Sequence, residues 1–400
     1  MSRTAIPLDL DVASGRPVKR EVQRKMDAAM HLRLGNPHAV HAKGRAALAI
    51  LDRARMQIAE CFGVHALDVI LTSGATESNN LILQGTARYW QKRRKPVHFI
   101  ISAIEHASLM EAARLLEERG CQISVLPVNE DGIVQWERLY ELVRPQTRLI
   151  SIMAVNHETG AIQPLKKVRD GLERLHAERK EKTLDRIVFH SDAVQALETL
   201  PCDLTSLGVD ALSFSAHKIG GPQGIGGLIR RRGTVPLLAI AGGGDQESGL
   251  RPGTVAVPLA VGCAAALMER HHPRSLAREN QKRDRFLQVL KKTFPSLRVH
   301  GPLGSDQVPW MVNVFIPDCD GEALLLSLDR KGYCCSAGSA CLVGARTPSH
   351  VLRAMGFSAV EARSSLRISW SSETPFSTLL KFSQEVAREG HRIMGMARHR

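Results

Sequence analysis

Through the middle of the chain, short apolar runs alternate with longer stretches in which apolar residues recur every three or four positions. The short runs predict strands at residues 69–72, 98–102, 124–126, 149–153, 187–190, 211–214 and 227–229. Helical periodicity fills most of the intervals, as at 108–119 and 165–182. Strand–helix alternation of this kind predicts an α/β architecture with a mostly parallel sheet covered on both faces. Ligands of such sheets bind beyond the carboxyl ends of the strands. Near Pro273 the pattern changes. A long helical stretch at 276–294 leads into strands at 312–315 and 366–369, separated by Gly and Pro punctuation. The expected organisation is a large domain over 12–265 and a smaller α+β domain made of 1–11 and 266–400. The longest apolar run, 255–268, contains Pro258 and Gly262. It is too short to span a membrane and predicts a buried helix.

The expected strand ends are rich in small and polar groups: Ser73-Gly-Ala-Thr76, Glu105-His106, Asn156-His157, Ser191-Asp192 and Ser215-Ala-His217-Lys218. Converging on one crevice, they would form a site. A lysine at a strand end, beside small polar groups and a glycine-rich turn, is placed to form a Schiff base with a carbonyl cofactor. An aspartate ending a neighbouring strand suits the pyridinium nitrogen of such a cofactor. Ser73-Gly-Ala-Thr76 lies between a strand and a helix, so it reads either as a phosphate cradle at a helix N-terminus or as a plain N-cap. Arg367 is embedded in an apolar strand and needs an anionic partner, either a substrate carboxylate or a structural Asp or Glu. Cys341 sits in a run of small residues, Ser336-Ala-Gly-Ser-Ala-Cys341-Leu-Val-Gly-Ala-Arg-Thr-Pro348, expected to form an exposed, mobile loop. A thiol so placed is either a nucleophile or idle. Cys334 and Cys335, directly after an apolar run, are expected to pack as small hydrophobes.

Composition narrows the classes. The 400 residues, 44% of them hydrophobic, are enough for two packed domains and exclude a disordered chain. The formal net charge is +14, from 54 Lys and Arg against 40 Asp and Glu. The basic clusters at 91–95, 230–232 and 397–400 contain no aromatic residues, and aromatics make up only 4% of the chain. A stacking platform for single-stranded nucleic acid is therefore unsupported, and specific nucleic-acid binding is not expected. The clusters instead suggest an acidic partner surface. The 8 cysteines form no CxxC pair, so neither a zinc site nor a disulfide framework is expected. Free thiols and the lack of an apolar leader region predict a reducing, cytoplasmic location.

The motifs together resemble one family, the cysteine desulfurases, which are class V pyridoxal-phosphate enzymes. The resemblance runs from about Leu10 to Trp370. It is carried by Thr72-Ser-Gly-Ala-Thr-Glu-Ser-Asn79, Glu105-His106, Val155-Asn156, Asp192-Ala-Val-Gln195, Ser213-Phe-Ser-Ala-His-Lys218, Gly242-Gly-Gly244, Arg251-Pro-Gly-Thr254, Ser336-Ala-Gly-Ser-Ala-Cys341, Pro348-Ser-His-Val-Leu-Arg353 and Arg367. It implies a fold type I enzyme with a seven-stranded, mostly parallel sheet. Lys218 would hold pyridoxal 5'-phosphate, Asp192 would pair with its ring nitrogen, and His106 would stack on the ring and move protons. Asn156 and Gln195 would bond the ring hydroxyl side. Thr76, Ser215, His217 and the Ala75 backbone would hold the phosphate. Thr254 would reach the phosphate of the other subunit, implying a homodimer. Arg367, helped by Asn156, would clamp the substrate carboxylate. L-cysteine would become L-alanine, leaving a persulfide on Cys341 for an iron–sulfur scaffold or tRNA-thiolation acceptor. A selenocysteine lyase or a catalytically silent interaction scaffold would share many of these motifs.

The chain departs from the family at three places. Ser14-Gly15-Arg16 stands where Ala-Thr-Thr is usual, His157 replaces an asparagine, and Gly220 replaces a common tyrosine.

Overall fold

The computed structural model describes residues 8–270, 276–337 and 348–397. Seven strands form the main sheet. In spatial order they are Val69–Thr72, Gly226–Arg230, Ala211–Ser215, Val188–Asp192, Thr147–Ser151, His98–Ser102 and Gln122–Leu126. Strands from Ala211–Ser215 to Gln122–Leu126 pair in parallel. Gly226–Arg230 runs antiparallel to both of its neighbours. Every expected strand of this sheet is present, with ends shifted by at most two residues.

The apolar runs are nearly continuous because both faces are covered. Alternate side chains serve two separate cores. Ile70, Phe99, Ile101, Leu149, Val188 and Leu228 pack with Leu81 and Ile82 of the helix Ala75–Gln91 and with Leu109 and Leu116 of Ala107–Glu118. Leu71, Ile100, Ile150, Phe189, Leu212 and Ile229 pack on the other face with Ile58 of Ala42–Cys61 and Val168 of Leu165–Glu181. The apolar run near 255–268 forms the helix Val257–Met268, eight of whose residues are buried. No helix among the described residues is long and apolar enough to cross a membrane.

Polar residues inside the sheet are paired across strands. His98 bonds Thr147 at 2.8 Å and Ser124 at 2.9 Å, and His190 bonds Ser151 at 2.8 Å and Ser213 at 2.9 Å. Burial pushes the two imidazoles down, to about 4 and about 3. Both are therefore neutral bonding groups rather than charges.

A second, four-stranded antiparallel sheet follows, in the order Ser336–Ala337, Ser365–Ser369, Met311–Phe315 and Arg298–His300. The helices Leu276–Thr293, Gly321–Arg330 and Phe376–Ala397 accompany it. The start of the chain joins this region. Leu8–Asp9 pairs in parallel with Tyr333–Cys334, and Asp11 bridges to Ser369. Residues 11–16 then lead towards the carboxyl edge of the main sheet, where the Arg16 N–H donates to the His217 carbonyl at 2.9 Å.

Gly226 marks a close approach. A Cβ there would stand 2.3 Å from the Phe214 carbonyl oxygen and 2.8 Å from the Gly74 Cα. Both are backbone atoms, so neither yields cheaply. Gly226→Ala should destabilise the protein by about 1–3 kcal/mol in denaturant unfolding. An unchanged midpoint would mean that the turn at Gly74 moves freely.

Candidate active site

The first element of the site is the start of the helix Ala75–Gln91. Gly74 precedes it with φ of 152°, a conformation that favours glycine. The Ala75 N–H donates to Ser215 Oγ at 2.8 Å, joining the helix start to the end of the strand Ala211–Ser215. A Cβ on Gly74 would lie 3.3 Å from that oxygen, so the cradle is open because this residue is glycine. Thr76 is exposed in the first turn. His217 is half-buried nearby, its imidazole pushed down to about 4 by burial and by the Lys218 charge. The helix start supplies N–H groups and a positive dipole end, as an anion requires.

Asp192 ends the strand Val188–Asp192 and is 5% exposed. One carboxylate oxygen accepts from Asn79 Nδ2 at 2.8 Å, the other from the Val194 N–H at 3.0 Å. Asn79 lies on the helix Ala75–Gln91, so the helix that forms the cradle also orients the aspartate. Nothing in the sequence pattern assigns Asn79 that role.

Lys218 follows the strand Ala211–Ser215 in a short 3₁₀ turn that ends at Gly220, whose φ is 78°. Its Nζ donates to the carbonyls of Ala13 at 2.8 Å and Ser14 at 2.9 Å. Gln195 Nε2 donates to the same Ala13 carbonyl at 3.0 Å.

His106 caps the helix Ala107–Glu118, with Nδ1 accepting the Ser108 N–H at 3.1 Å. Burial lowers its pKa, with the charge of Asp192 opposing and those of Lys218, His350 and Arg367 adding to the effect. These four groups therefore all lie within electrostatic reach of the one ring.

Arg367, in the strand Ser365–Ser369, is 3% exposed. Nη2 donates to Asp11 Oδ1 at 2.8 Å and Ser14 Oγ at 2.7 Å, and Nη1 donates to the His157 carbonyl at 2.8 Å. Its Nε is buried without a hydrogen-bond partner among the described residues. A structural anion, Asp11, thus holds this arginine, one of the two readings open from the sequence. The unpartnered Nε leaves a donor for a second anion.

Other expected site residues fall differently. Asn156 is fully buried, and its side chain is spent on its own turn. Oδ1 accepts the N–H groups of Glu158 and Thr159, both at 2.9 Å, and Nδ2 donates to the Ile104 carbonyl at 3.2 Å. Thr254 is exposed, and no hydrogen bond among the described residues ties it to Ala75, Ser215 or His217. Cys341 lies outside the described residues. The chain on either side of residues 338–347 is anchored at the site. Ser336 Oγ donates to Asp11 Oδ2 at 2.7 Å, and Ser349 Oγ donates to Glu158 Oε2 at 2.6 Å. Cys334 and Cys335 are half-buried, and burial raises both thiols, Cys335 to about 12. Arg16 is paired with Glu198 and stands 5.9 Å from the centroid of the Trp310 ring.

Two buried carboxyls lie behind the site: Glu105, noted in the sequence only as part of a motif, and Glu158, which the sequence pattern does not mark. Glu105 Oε1 accepts from Ser102 Oγ at 2.6 Å and from the Met153 N–H at 2.8 Å, and burial pushes the group up to about 8. Burial likewise pushes Glu158 up to about 7.

The profile of the family described as Aminotransferase class-V matches residues 10–377. The mitosomal cysteine desulfurase of Trachipleistophora hominis is 36% identical over 373 residues, covering 92% of this chain and 82% of that protein. The cysteine desulfurase of Homo sapiens is 37% identical over 369 residues, covering 90% and 77%. A solved structure titled NifS-like protein superposes with a TM-score of 0.84 at 31% identity, covering 96% of this chain and 98% of that one. The mitosomal and mitochondrial names among such relatives overturn the cytoplasmic location expected from the sequence. The signs behind that expectation bear on secretion and do not discriminate between cytoplasm and organelle.

The buried carboxyl at Glu105 generates a pH dependence. Its folded pKa is raised, so its contribution to stability is full below about pH 4.5 and is lost as pH rises towards about 8. Glu105→Gln keeps the acceptor oxygen and removes the ionisation. Relative to the native chain, this variant should gain on the order of 2–4 kcal/mol between pH 5 and pH 9 in denaturant unfolding. A difference that does not change with pH would contradict the assignment.

Proposed function

The chain belongs to the class V aminotransferases and, within them, to the cysteine desulfurases, and we propose that it moves the sulfur of L-cysteine onto Cys341 and releases L-alanine. It is a pyridoxal-phosphate-dependent enzyme, as its family is. The observation that carries the residue assignment is the meeting of Lys218, Arg367 and the N-terminal strap. Lys218 Nζ and Arg367 Nη2 both bond Ser14, one through its carbonyl at 2.9 Å and the other through its hydroxyl at 2.7 Å.

The residues present fit pyridoxal phosphate. The opening at Gly74, Ser215 Oγ and the helix start at Ala75 suit a phosphate, with Thr76 and His217 beside it. Asp192, held from two sides, is a fixed anion for a pyridinium nitrogen. His106 offers a half-buried ring to stack on the cofactor, and Gln195 would take its hydroxyl side. When bound, the cofactor withdraws electrons from the α-carbon of the substrate.

The side chains divide the remaining work. Arg367 takes the substrate carboxylate through its unpartnered Nε, supported from behind by Asp11. That contact fixes the α-hydrogen towards Lys218, whose amine removes it and returns a proton to the product. His106, whose charged form burial disfavours, accepts and returns a second proton. The Cys341 thiolate attacks the substrate sulfur, the carbon–sulfur bond breaks, and the persulfide stays on Cys341. Anchors at Ser336 and Ser349 hold the described chain at the site on either side of residues 338–347.

The exposed Thr254 suits completion of the phosphate site by a second copy, as a homodimer. Beside it lies a hollow of about 300 Å³ lined by Glu77, Leu250, Arg251 and Gly253. Two sheets with their own helices support division into domains over 12–265 and over 1–11 with 266–400. The persulfide would pass to an acceptor protein of an iron–sulfur assembly or tRNA-thiolation system. The +14 net charge favours an acidic docking face on that acceptor.

Purified, cofactor-loaded protein should produce alanine and sulfide from L-cysteine in the presence of a thiol reductant. Cys341→Ala should lose sulfide release. Undiminished sulfide from that variant would refute Cys341 as acceptor. Arg367→Lys should raise KM for L-cysteine about ten- to a hundredfold, the loss of a charge-assisted fork. An unchanged KM would show that the carboxylate binds elsewhere.

A further inference from the structure

His157 stands where the family usually carries asparagine, and it links two parts of the site. Its carbonyl accepts from Arg367 Nη1 at 2.8 Å. Its ring packs edge-on against the His106 ring, with centroids 5.1 Å apart and planes at 70°. On the far side, the His350 ring centroid lies at 6.5 Å. The His157 ring makes little use of its polarity. Nδ1 is buried without a hydrogen-bond partner among the described residues. Nε2 stands 3.7 Å from Glu158 Oε1, beyond hydrogen-bond length. What the ring contributes is volume beside His106, which the smaller amide of asparagine would leave open to water.

We propose that His157 is a positioning residue for His106: its ring fills the space beside the His106 imidazole and shuts water out of it. The groups that face His106 come from every element around it. They are Asp192 at a strand end, Lys218 after the neighbouring strand, Arg367 from the second sheet and His350 at a helix start. Asp192 alone favours the charged ring, and water exclusion with the three cationic or ionisable partners opposes it. His157 is itself pushed well below the ordinary histidine range, first by burial and also by the Arg367 charge, so it adds bulk without adding a charge. The inference rests on the reading of His106 as the ring that meets the cofactor.

The test is an NMR titration of histidine ring Cε1 signals in the cofactor-loaded protein, with His106 assigned from a His106→Gln variant, beside the pH profile of kcat/KM for alanine formation. In native protein His106 should titrate below about 6.5, the usual value. In His157→Asn its midpoint should rise by roughly one pH unit, and the acid limb of the profile should move with it. His157→Phe, which keeps a ring of similar bulk, should leave the midpoint low. The same His106 midpoint in native and His157→Asn protein overturns the proposal. So does an ordinary midpoint in His157→Phe, which decides the matter alone if the asparagine variant does not fold. A shifted midpoint with an unmoved kcat/KM profile upholds the role of His157 and removes His106 from proton transfer.

Discussion

The buried guanidinium of Arg367 ties together three stretches of chain that are distant in sequence. At 3% exposure it cannot stand uncompensated, because an isolated buried charge costs several kcal/mol. Asp11 and Ser14 approach it from the N-terminal strap, and the His157 carbonyl from the loop beyond the main sheet. The second sheet is thereby fixed to the carboxyl edge of the first. The same contacts set the position of Ser14, whose carbonyl, with that of Ala13, receives the Lys218 amine. The fold constraint and the proposed substrate clamp thus fall on one side chain, whose Nε remains unpartnered among the described residues.

Around that anchor burial disfavours charge on several ionisable groups. Burial holds His106 and His157 below the ordinary range and lifts Glu105 and Glu158 above it. Asp192, supported by Asn79 and a backbone N–H, is the anion placed among them. Where burial excludes water, each remaining charge is weakly screened and acts strongly on its neighbours.

Much of this arrangement is legible in the amino-acid sequence. The strands expected at 69–72 and 98–102 coincide with Val69–Thr72 and His98–Ser102, because both are bounded by turn residues and buried on both faces. The motifs that end these strands meet at the edge where an open α/β sheet binds ligands. The antiparallel course of Gly226–Arg230 is not legible, since an apolar run carries no direction. The support given by Asp11 to Arg367 is hidden by 356 positions of separation. Asn79 and Glu158 look like ordinary polar residues of a helix and a loop, and only the packing shows them buried. The resemblance implies a cofactor role for Asn156, and only the packing shows that its Oδ1 also closes the turn at Glu158 and Thr159. The location expected from cysteine usage fails because free thiols are common to every reducing compartment.

The most direct test follows the sulfur atom. Cofactor-loaded protein would be given one equivalent of L-cysteine labelled with sulfur-34, alkylated at once, digested, and read by mass spectrometry. The account predicts one labelled sulfur added to the peptide that contains Cys341, with alanine formed in equal amount. Label on Cys334 or Cys335, or alanine formed with no label on any cysteine, would contradict it.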